Sequence, residues 1–376
     1  MLSEEQQMIR DMAREFARER LAPTARAREK RGEIEREVID ALAELGFLGM
    51  TVDPDWGGAG ADYVSYALAL IEIAAGDASV ATLVSVHNAP VCAVLDRFAT
   101  PEQKERWLRP LTEGGVVGSF ALTEPQAGSD ASNLRTRAER AGDGYVINGT
   151  KQFISSARVG GITVLFAVTD PAAGKKGISC FAVRNDTPGF SVVRVEEKLG
   201  QKASDSCALA FENMHVPEGD RIGAEGQGYA IALSSLEAGR LGIAALATGI
   251  AQEALERALA YAKERVAFGR PIFEHQAVQF TLSEMATEVE AARQMVLNAA
   301  RMKDAGQPCL KEACMAKLFC GQVAERVTSN AIQVLGGYGY LADYEVERLY
   351  RDQKVCQIYE GTNEIQKLII ARQLAG

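Results

Sequence analysis

The residues with most chemical potential lie near the C-terminal end, in Tyr359-Glu360-Gly361-Thr362, where a carboxylate sits beside a glycine just ahead of a helical run. Gly361 lets backbone and a substrate approach closely. If apolar material closes over Glu360, lost hydration raises its pKa, and a raised carboxylate can act as general base toward a weakly acidic carbon. The competing reading is a solvated acid before a helix, held by the helix dipole. Residue type and spacing alone favour that plainer reading. A second polar cluster, Ala121-Leu122-Thr123-Glu124-Pro125-Gln126-Ala127-Gly128-Ser129-Asp130, is a tight loop. Gly128 allows a turn or a close ligand approach, and Thr123 and Ser129 offer hydroxyls; an ordinary domain junction would look the same.

Other chemistries are poorly served. Gly337-Tyr338-Gly339-Tyr340-Leu341-Ala342 fits the dinucleotide pattern G-x-G-x-x-A. That pattern works only after a strand and before a helix, and Val327 to Leu335 reads as helix, so a glycine-rich helix exit is expected. The chain has neither a phosphate loop of the G-x-x-x-x-G-K-[ST] type nor a G-x-S-x-G elbow. Seven scattered cysteines without Cys-x-x-Cys and three histidines without ligand spacing argue against a disulfide framework or a metal site. A net charge of -9 speaks against nucleic acid as a partner.

The elements that must position these groups come in blocks. At 376 residues, 47% hydrophobic and 24% charged, the chain is globular and long enough for two or three domains. Ser3-x-x-Gln6 and Thr100-Pro101-Glu102-Gln103 are capping boxes that open helices, and Tyr66 to Ile73 and Val80 to Leu95 read as helices buried on several sides. From about Gly118 the runs Gly144–Gly149, Ile162–Val168, Ile178–Val183 and Phe190–Val195 are short and β-rich, with Gly, Asp, Asn and Pro between them. Helical periodicity returns over Ala230–Arg265, His275–Ala305, Cys309–Leu335 and Gly361–Leu374. The order α, β, α predicts an α+β fold with helical residues 1–118, an antiparallel β domain over 119–225 and helical residues 226–376. No run of about 18 uninterrupted apolar residues is present, so no membrane insertion is expected. The start, Met1-Leu2-Ser3-Glu4-Glu5, has neither signal-peptide nor transit-peptide character, which makes the cytoplasm the simplest address.

Two distant segments then become specific together. The Ala121–Asp130 loop resembles the first signature of the acyl-CoA dehydrogenase family. Gln333-x-x-Gly336-Gly337-x-Gly339-Tyr340-x-x-Asp343, with Arg348 and Asp352, resembles the second. Lys151-Gln152-Phe153-Ile154-Ser155, Ala267-Phe268-Gly269-Arg270-Pro271 and Gln357-Ile358-Tyr359-Glu360-Gly361-Thr362 follow in the family's order, so the resemblance runs from Ser3 to the C-terminus. It implies N-terminal helices, a central antiparallel β-barrel and a C-terminal four-helix bundle, assembled as a homotetramer.

The resemblance also implies FAD as cofactor. Leu122 and Thr123 would meet the flavin edge, and Ser129 its pyrophosphate and the substrate. Phe153, where many relatives carry Trp, would lie beside the flavin face with Ser155 near it. From a neighbouring subunit, Arg265, Phe268, His275, Gln276, Gln333, Gly336 and Gly337 would complete the adenine and phosphate site, while Thr362 and Glu364 approach FAD after the base. The implied reaction is α,β-dehydrogenation of an acyl-CoA to the trans-2-enoyl-CoA, as in fatty-acid β-oxidation. Glu360 takes the α-proton, flavin N5 accepts the β-hydride, and an electron-transfer flavoprotein receives the electrons. Relatives that carry the base elsewhere place it where this chain has Gly239, which selects Glu360 and the short- or medium-chain branch. Arg240 would order the base region, with Ser204, Glu237, Tyr359 and Gly361 as substrate or CoA contacts. The run Ser85-Val86-His87-Asn88 resembles short-chain enzymes, and a buried helix end before Pro90 accounts for it equally well. The alternatives are an acyl-CoA oxidase of the same fold and a catalytically silent flavoprotein scaffold.

Overall fold

The computed structural model describes residues 2–375. Helix α1 (Glu4–Phe16) begins where the first capping box predicts: Gln6 N donates to Ser3 Oγ at 3.1 Å, and Ser3 N to Gln6 Oε1 at 3.0 Å. The Thr100–Gln103 box forms in the same reciprocal way. Two apolar helices follow α1. Asp62 caps α2 (Tyr63–Gly76) by accepting from Ser65 N, and Asp77 caps α3 (Ala78–Val86) by accepting from Ser79 N. Both are mostly apolar and buried almost throughout, the exception in charge being Glu72 of α2, which pairs with Arg14 of α1 at 2.8 Å.

α1 and the C-terminal helices α4 (Gly228–Glu264) and α5 (Gln276–Asp304) pack on α2, and α4 packs on α3; α6 (Leu310–Leu335), α7 (Val346–Gln353) and α8 (Asn363–Ala375) complete the C-terminal set. α2 lies along α4, and Gly249 permits it, since a Cβ there would run into Ile71 O. Leu70 and Ile71 of α2 share one core with Leu246 and Ile250 of α4, Val296 of α5 and Val323 of α6. The helices at the two ends of the chain are therefore packed as one body. Ala78–Phe98 and Gly228–Glu264 are long and apolar enough to cross a membrane by length and composition, yet most of each is buried inside the protein. Burial in a core accounts for their apolar character.

Between the helical blocks lie eight strands: β1 (Gly118–Ala121), β2 (Arg137–Ala141), β3 (Gly144–Ser155), β4 (Ile162–Val168), β5 (Ile178–Arg184), β6 (Phe190–Val195), β7 (Ser206–Pro217) and β8 (Arg221–Ile222). They form one sheet in the order β6-β7-β3-β2-β4-β5-β8, with β1 paired to β4. The expectation of a purely antiparallel domain needs correction here. β1 runs parallel to β4 over Gly118–Ala121 against Ile162–Leu165, and β2 meets β4 in parallel at Arg137 and Val168. Each of these pairs is separated in sequence by at least one intervening strand, long enough for the chain to return in the same direction. β4 is buried on both faces. Ile162, Val164 and Phe166 join a core with Trp107, Leu108 and Leu111, whereas Leu165 and Ala167 face Tyr145, Phe181 and Phe211. The second core draws residues from β2, β3, β4, β5 and β7, so the sheet curls around it.

Candidate active site

Glu360 occupies the turn between α7 and α8, and its backbone is left-handed, with φ +55 followed by +88 at Gly361. That conformation costs a non-glycine residue roughly 1 kcal/mol, and it is held from two sides. Gln366 Nε2 donates to Glu360 O at 3.1 Å and to Gly361 O at 2.8 Å. Lys317 Nζ, from α6, donates to the same Gly361 O at 2.7 Å. Thr362 Oγ1 accepts from Ile365 N at 3.4 Å at the start of α8, where Glu364 is exposed.

The turn directs the Glu360 side chain at α4. A Cβ built on Gly239 would stand 2.7 Å from Glu360 Oε2, so the missing side chain of Gly239 is the space the carboxylate fills. Oε2 is closed to solvent and has no hydrogen-bond partner among the described residues. Burial pushes the Glu360 carboxyl up to about 7, against the pull of Arg240 and Lys317. Arg240 is buried one residue beyond Gly239, with Nε also unpartnered. One turn further along α4, a Cβ on Gly242 would meet Tyr66 Oη at 2.8 Å and Ser85 Oγ at 2.5 Å. The Tyr66 side chain is fully buried, with the Ser85 hydroxyl beside its own.

The loop after β1 is built on a buried ion pair. Lys151 Nζ, on β3, donates to Glu124 Oε1 at 2.8 Å and Leu122 O at 3.0 Å. Glu124 also accepts from Arg135 N and Thr136 N. Burial opposes ionisation of Glu124, but the Lys151 ammonium and these donors hold its carboxyl down to about 2. This pins Leu122 and Thr123, and Thr123 O accepts from Gln152 N at 2.9 Å. A register shift between Lys151 and Ile154 throws Phe153 out of the strand with φ +60, leaving it 64% exposed. Ser155 ends the strand, half-buried, while Gly128 and Ser129 are exposed at the loop tip.

Of the expected substrate contacts, Tyr359 Oη accepts from Gln201 Nε2 at 3.3 Å and lies 3.5 Å from Thr82 Oγ1. Ser204 is buried in the turn after Gln201. The Glu237 carboxylate is engaged by Lys303 Nζ at 3.0 Å and Cys309 Sγ at 3.3 Å. The remaining residues gather elsewhere. Arg265 stacks on Tyr338 at 5.6 Å, Phe268 stands 96% exposed with φ +52, and His275 packs edge-on against it at 5.9 Å. Gln276, Gln333, Gly336 and Gly337 are exposed too. Arg265, Gly336 and Gly337 line a cavity of about 390 Å³, and a Cβ on either glycine would meet open space. At ~1.5 Å rise per residue, Arg240 to Arg265 along α4 spans roughly 37 Å, so one chain does not bring this group to Glu360.

Sequence reasoning overlooked Lys317, Tyr66, Glu124 and the role of Lys151. A signal existed for the lysines: each stands alone in a buried stripe, Lys317 among Ala313, Cys314, Ala316 and Cys320 and Lys151 between inward-facing β3 residues.

Comparison with known proteins places the whole chain. Residues 3–115, 119–214 and 226–375 match the acyl-CoA dehydrogenase N-terminal, middle and C-terminal domains respectively. The chain is 47% identical over 375 residues to an acyl-CoA dehydrogenase of Bacillus subtilis, covering 100% of this chain and 99% of that one. It superimposes with TM-score 0.98 on butyryl-CoA dehydrogenase from Megasphaera elsdenii, at 41% identity and covering 100% and 99% of the two chains. A chain from structural work on the electron transferring flavoprotein of Acidaminococcus fermentans also gives TM-score 0.98, at 44% identity over 100% and 98%.

Proposed function

The chain belongs to the acyl-CoA dehydrogenase family and is an FAD-dependent oxidoreductase that dehydrogenates acyl-CoA thioesters, and we propose that it acts on short acyl chains with Glu360 as the base. The observation that carries this reading is the Glu360 carboxylate itself, its Oε2 closed to solvent over side-chain-free Gly239 and its pKa raised to about 7. A solvated acid before a helix would have neither property.

The residues present suit FAD. Leu122 and Thr123 form a pinned edge, Phe153 offers an outward aromatic plane, and Ser129 and Ser155 supply hydroxyls near them. Gly336 and Gly337 leave a backbone cradle with no side chain, and Arg265 lines the cavity beside it. Since Arg265 lies roughly 37 Å from Arg240 along the helix, delivery of Arg265 and Phe268 to the flavin by a second copy of the chain supports a homo-oligomer with shared FAD sites. FAD, when bound, accepts the hydride equivalent from the β-carbon at N5.

The chain's own residues perform the rest. Glu360 removes the proton from the α-carbon, and its backbone N–H, aimed by the left-handed turn, meets the thioester oxygen where enolate charge develops. Exclusion of water keeps the carboxylate basic enough for a carbon acid. The product is the trans-2-enoyl-CoA, and the electrons leave through an electron-transfer flavoprotein. Support for a short chain comes from Tyr66 and Ser85. Both side chains are buried and fill the face of α4 at Gly242, ~4.5 Å of helix beyond Gly239, which leaves little room there for a longer tail. The test is anaerobic bleaching of the yellow enzyme by an acyl-CoA length series, then reoxidation by air or by an electron-transfer flavoprotein. Fastest bleaching by a long-chain substrate would refute the short-chain reading. Rapid reoxidation by oxygen alone would point to an oxidase.

A further inference from the structure

Lys317 is fully buried about two turns into α6. Its ammonium carries three donors, and Gly361 O is its one hydrogen-bond partner among the described residues. Burying a lysine this way costs several kcal/mol unless something compensates, and a neutral donor would hold a carbonyl more cheaply. The compensation lies in what it faces. Lys317 and Arg240 are the two cations acting on the Glu360 carboxylate, and no direct ion pair joins either of them to it among the described residues. From α6, Cys314 also faces this cluster, from α2 Tyr66, from the turn before the base Cys356, and from α8 Glu364. Burial raises the pKa of both thiols and of the phenol, so these three stay neutral at neutral pH, and Glu364 is exposed to solvent.

We infer that Lys317 is a positioning residue for the reaction: through Gly361 O it holds the left-handed turn that aims the base and its N–H, and its ammonium supplies part of the positive field in which the Glu360 carboxylate works. The two roles separate chemically. A glutamine at this position keeps a donor and removes the charge, whereas a methionine removes both. Burial also lowers the Lys317 pKa to about 8, opposed by Cys356 and Glu360, so the ammonium is still charged at neutral pH. The inference rests on Glu360 being the base, and Glu360→Gln serves as the separate control.

The experiment is single-turnover flavin reduction of the holoenzyme by butyryl-CoA from pH 5.5 to 9, with FAD content measured for each variant. A cation near a carboxylate lowers its pKa, so removing it moves the midpoint of the rising limb upward. With a nearby unit charge lost at an effective dielectric near 20, a shift of about one to two pH units is expected in both Lys317→Gln and Lys317→Met. Lys317→Met should lose a further tenfold or so in the plateau rate through the loosened turn, and Lys317→Gln should recover most of it. A midpoint equal to the parent's in a variant that retains FAD overturns the inference, and so does loss of FAD by both variants, which would make Lys317 a fold residue only. Parent-like bleaching by Glu360→Gln would instead sink the assignment of the base.

Discussion

Replacing Glu360 with glutamine should make the enzyme slower and more stable at once, and the stability gain should depend on pH. The side chain keeps its size and loses its charge. Its carboxyl titrates at about 7 in the fold against 4.5 when exposed, so the ionised form is about 3 kcal/mol costlier in the folded state. The folded pKa is raised, so the folded protein binds the extra proton. The penalty is therefore absent below about pH 4.5, grows through the interval between the two values, and is complete above about 7. Glu360→Gln should accordingly match the parent's melting temperature near pH 4.5 and exceed it at pH 8. Flavin reduction by butyryl-CoA should meanwhile fall by at least about 10²-fold, the low end for a lost general base. The assays are thermal unfolding of the holoenzyme at fixed protein and excess FAD, because bound cofactor and assembly shift the apparent stability, and stopped-flow bleaching. An offset in melting temperature that is the same at pH 5 and pH 8 would refute the buried-carboxylate argument. Bleaching at the parent's rate would refute the base.

Gly239→Ala should slow flavin reduction by about ten- to a hundredfold without loss of FAD, because its methyl lands 2.7 Å from Glu360 Oε2 and must push the base aside by a good part of an ångström; a parent-like rate in stopped flow would show that the carboxylate does not need that space. The double variant Glu360→Gln with Gly239→Glu should recover part of the lost turnover, read in the same assay, as the new carboxylate starts where the old one ended. If Arg265 holds an FAD phosphate, Arg265→Ala should weaken FAD retention on dilution more than it lowers the melting temperature, since the residue is exposed and not part of the core; a dilute monomer retaining stoichiometric FAD would exclude shared sites. Glu124→Gln strips the buried Lys151 of its counter-ion, which should cost about 3–5 kcal/mol in unfolding experiments, and Glu124→Leu with Lys151→Met should restore much of it.

Local rules carried the sequence a long way. Both capping boxes form because Ser3–Gln6 and Thr100–Gln103 satisfy each other's backbone within four residues. The long helices fall within a few residues of their periodic runs, and Gly337 follows a helix as its context demanded. β1, β2 and β7 escaped notice because β2 is mostly polar and β1 is only four residues long, while β7 alternates with exposed Glu212 and His215. Their pairing, and the parallel contacts of β4, are decided by distant partners. The proposed base shows the same division. Glu360, Gly361 and the absence of a side chain at Gly239 are written in the chain, and the family signatures make their meaning specific. Nothing local says that Gly239 and Glu360 meet, that Lys317 from a third helix reaches Gly361 O, or that Tyr66 and Ser85 close the same face of α4. A carboxylate becomes a base for a carbon acid only when its surroundings remove water and set the nearby charge, and those surroundings come from α2, α3, α4 and α6, which only the packed structure brings together.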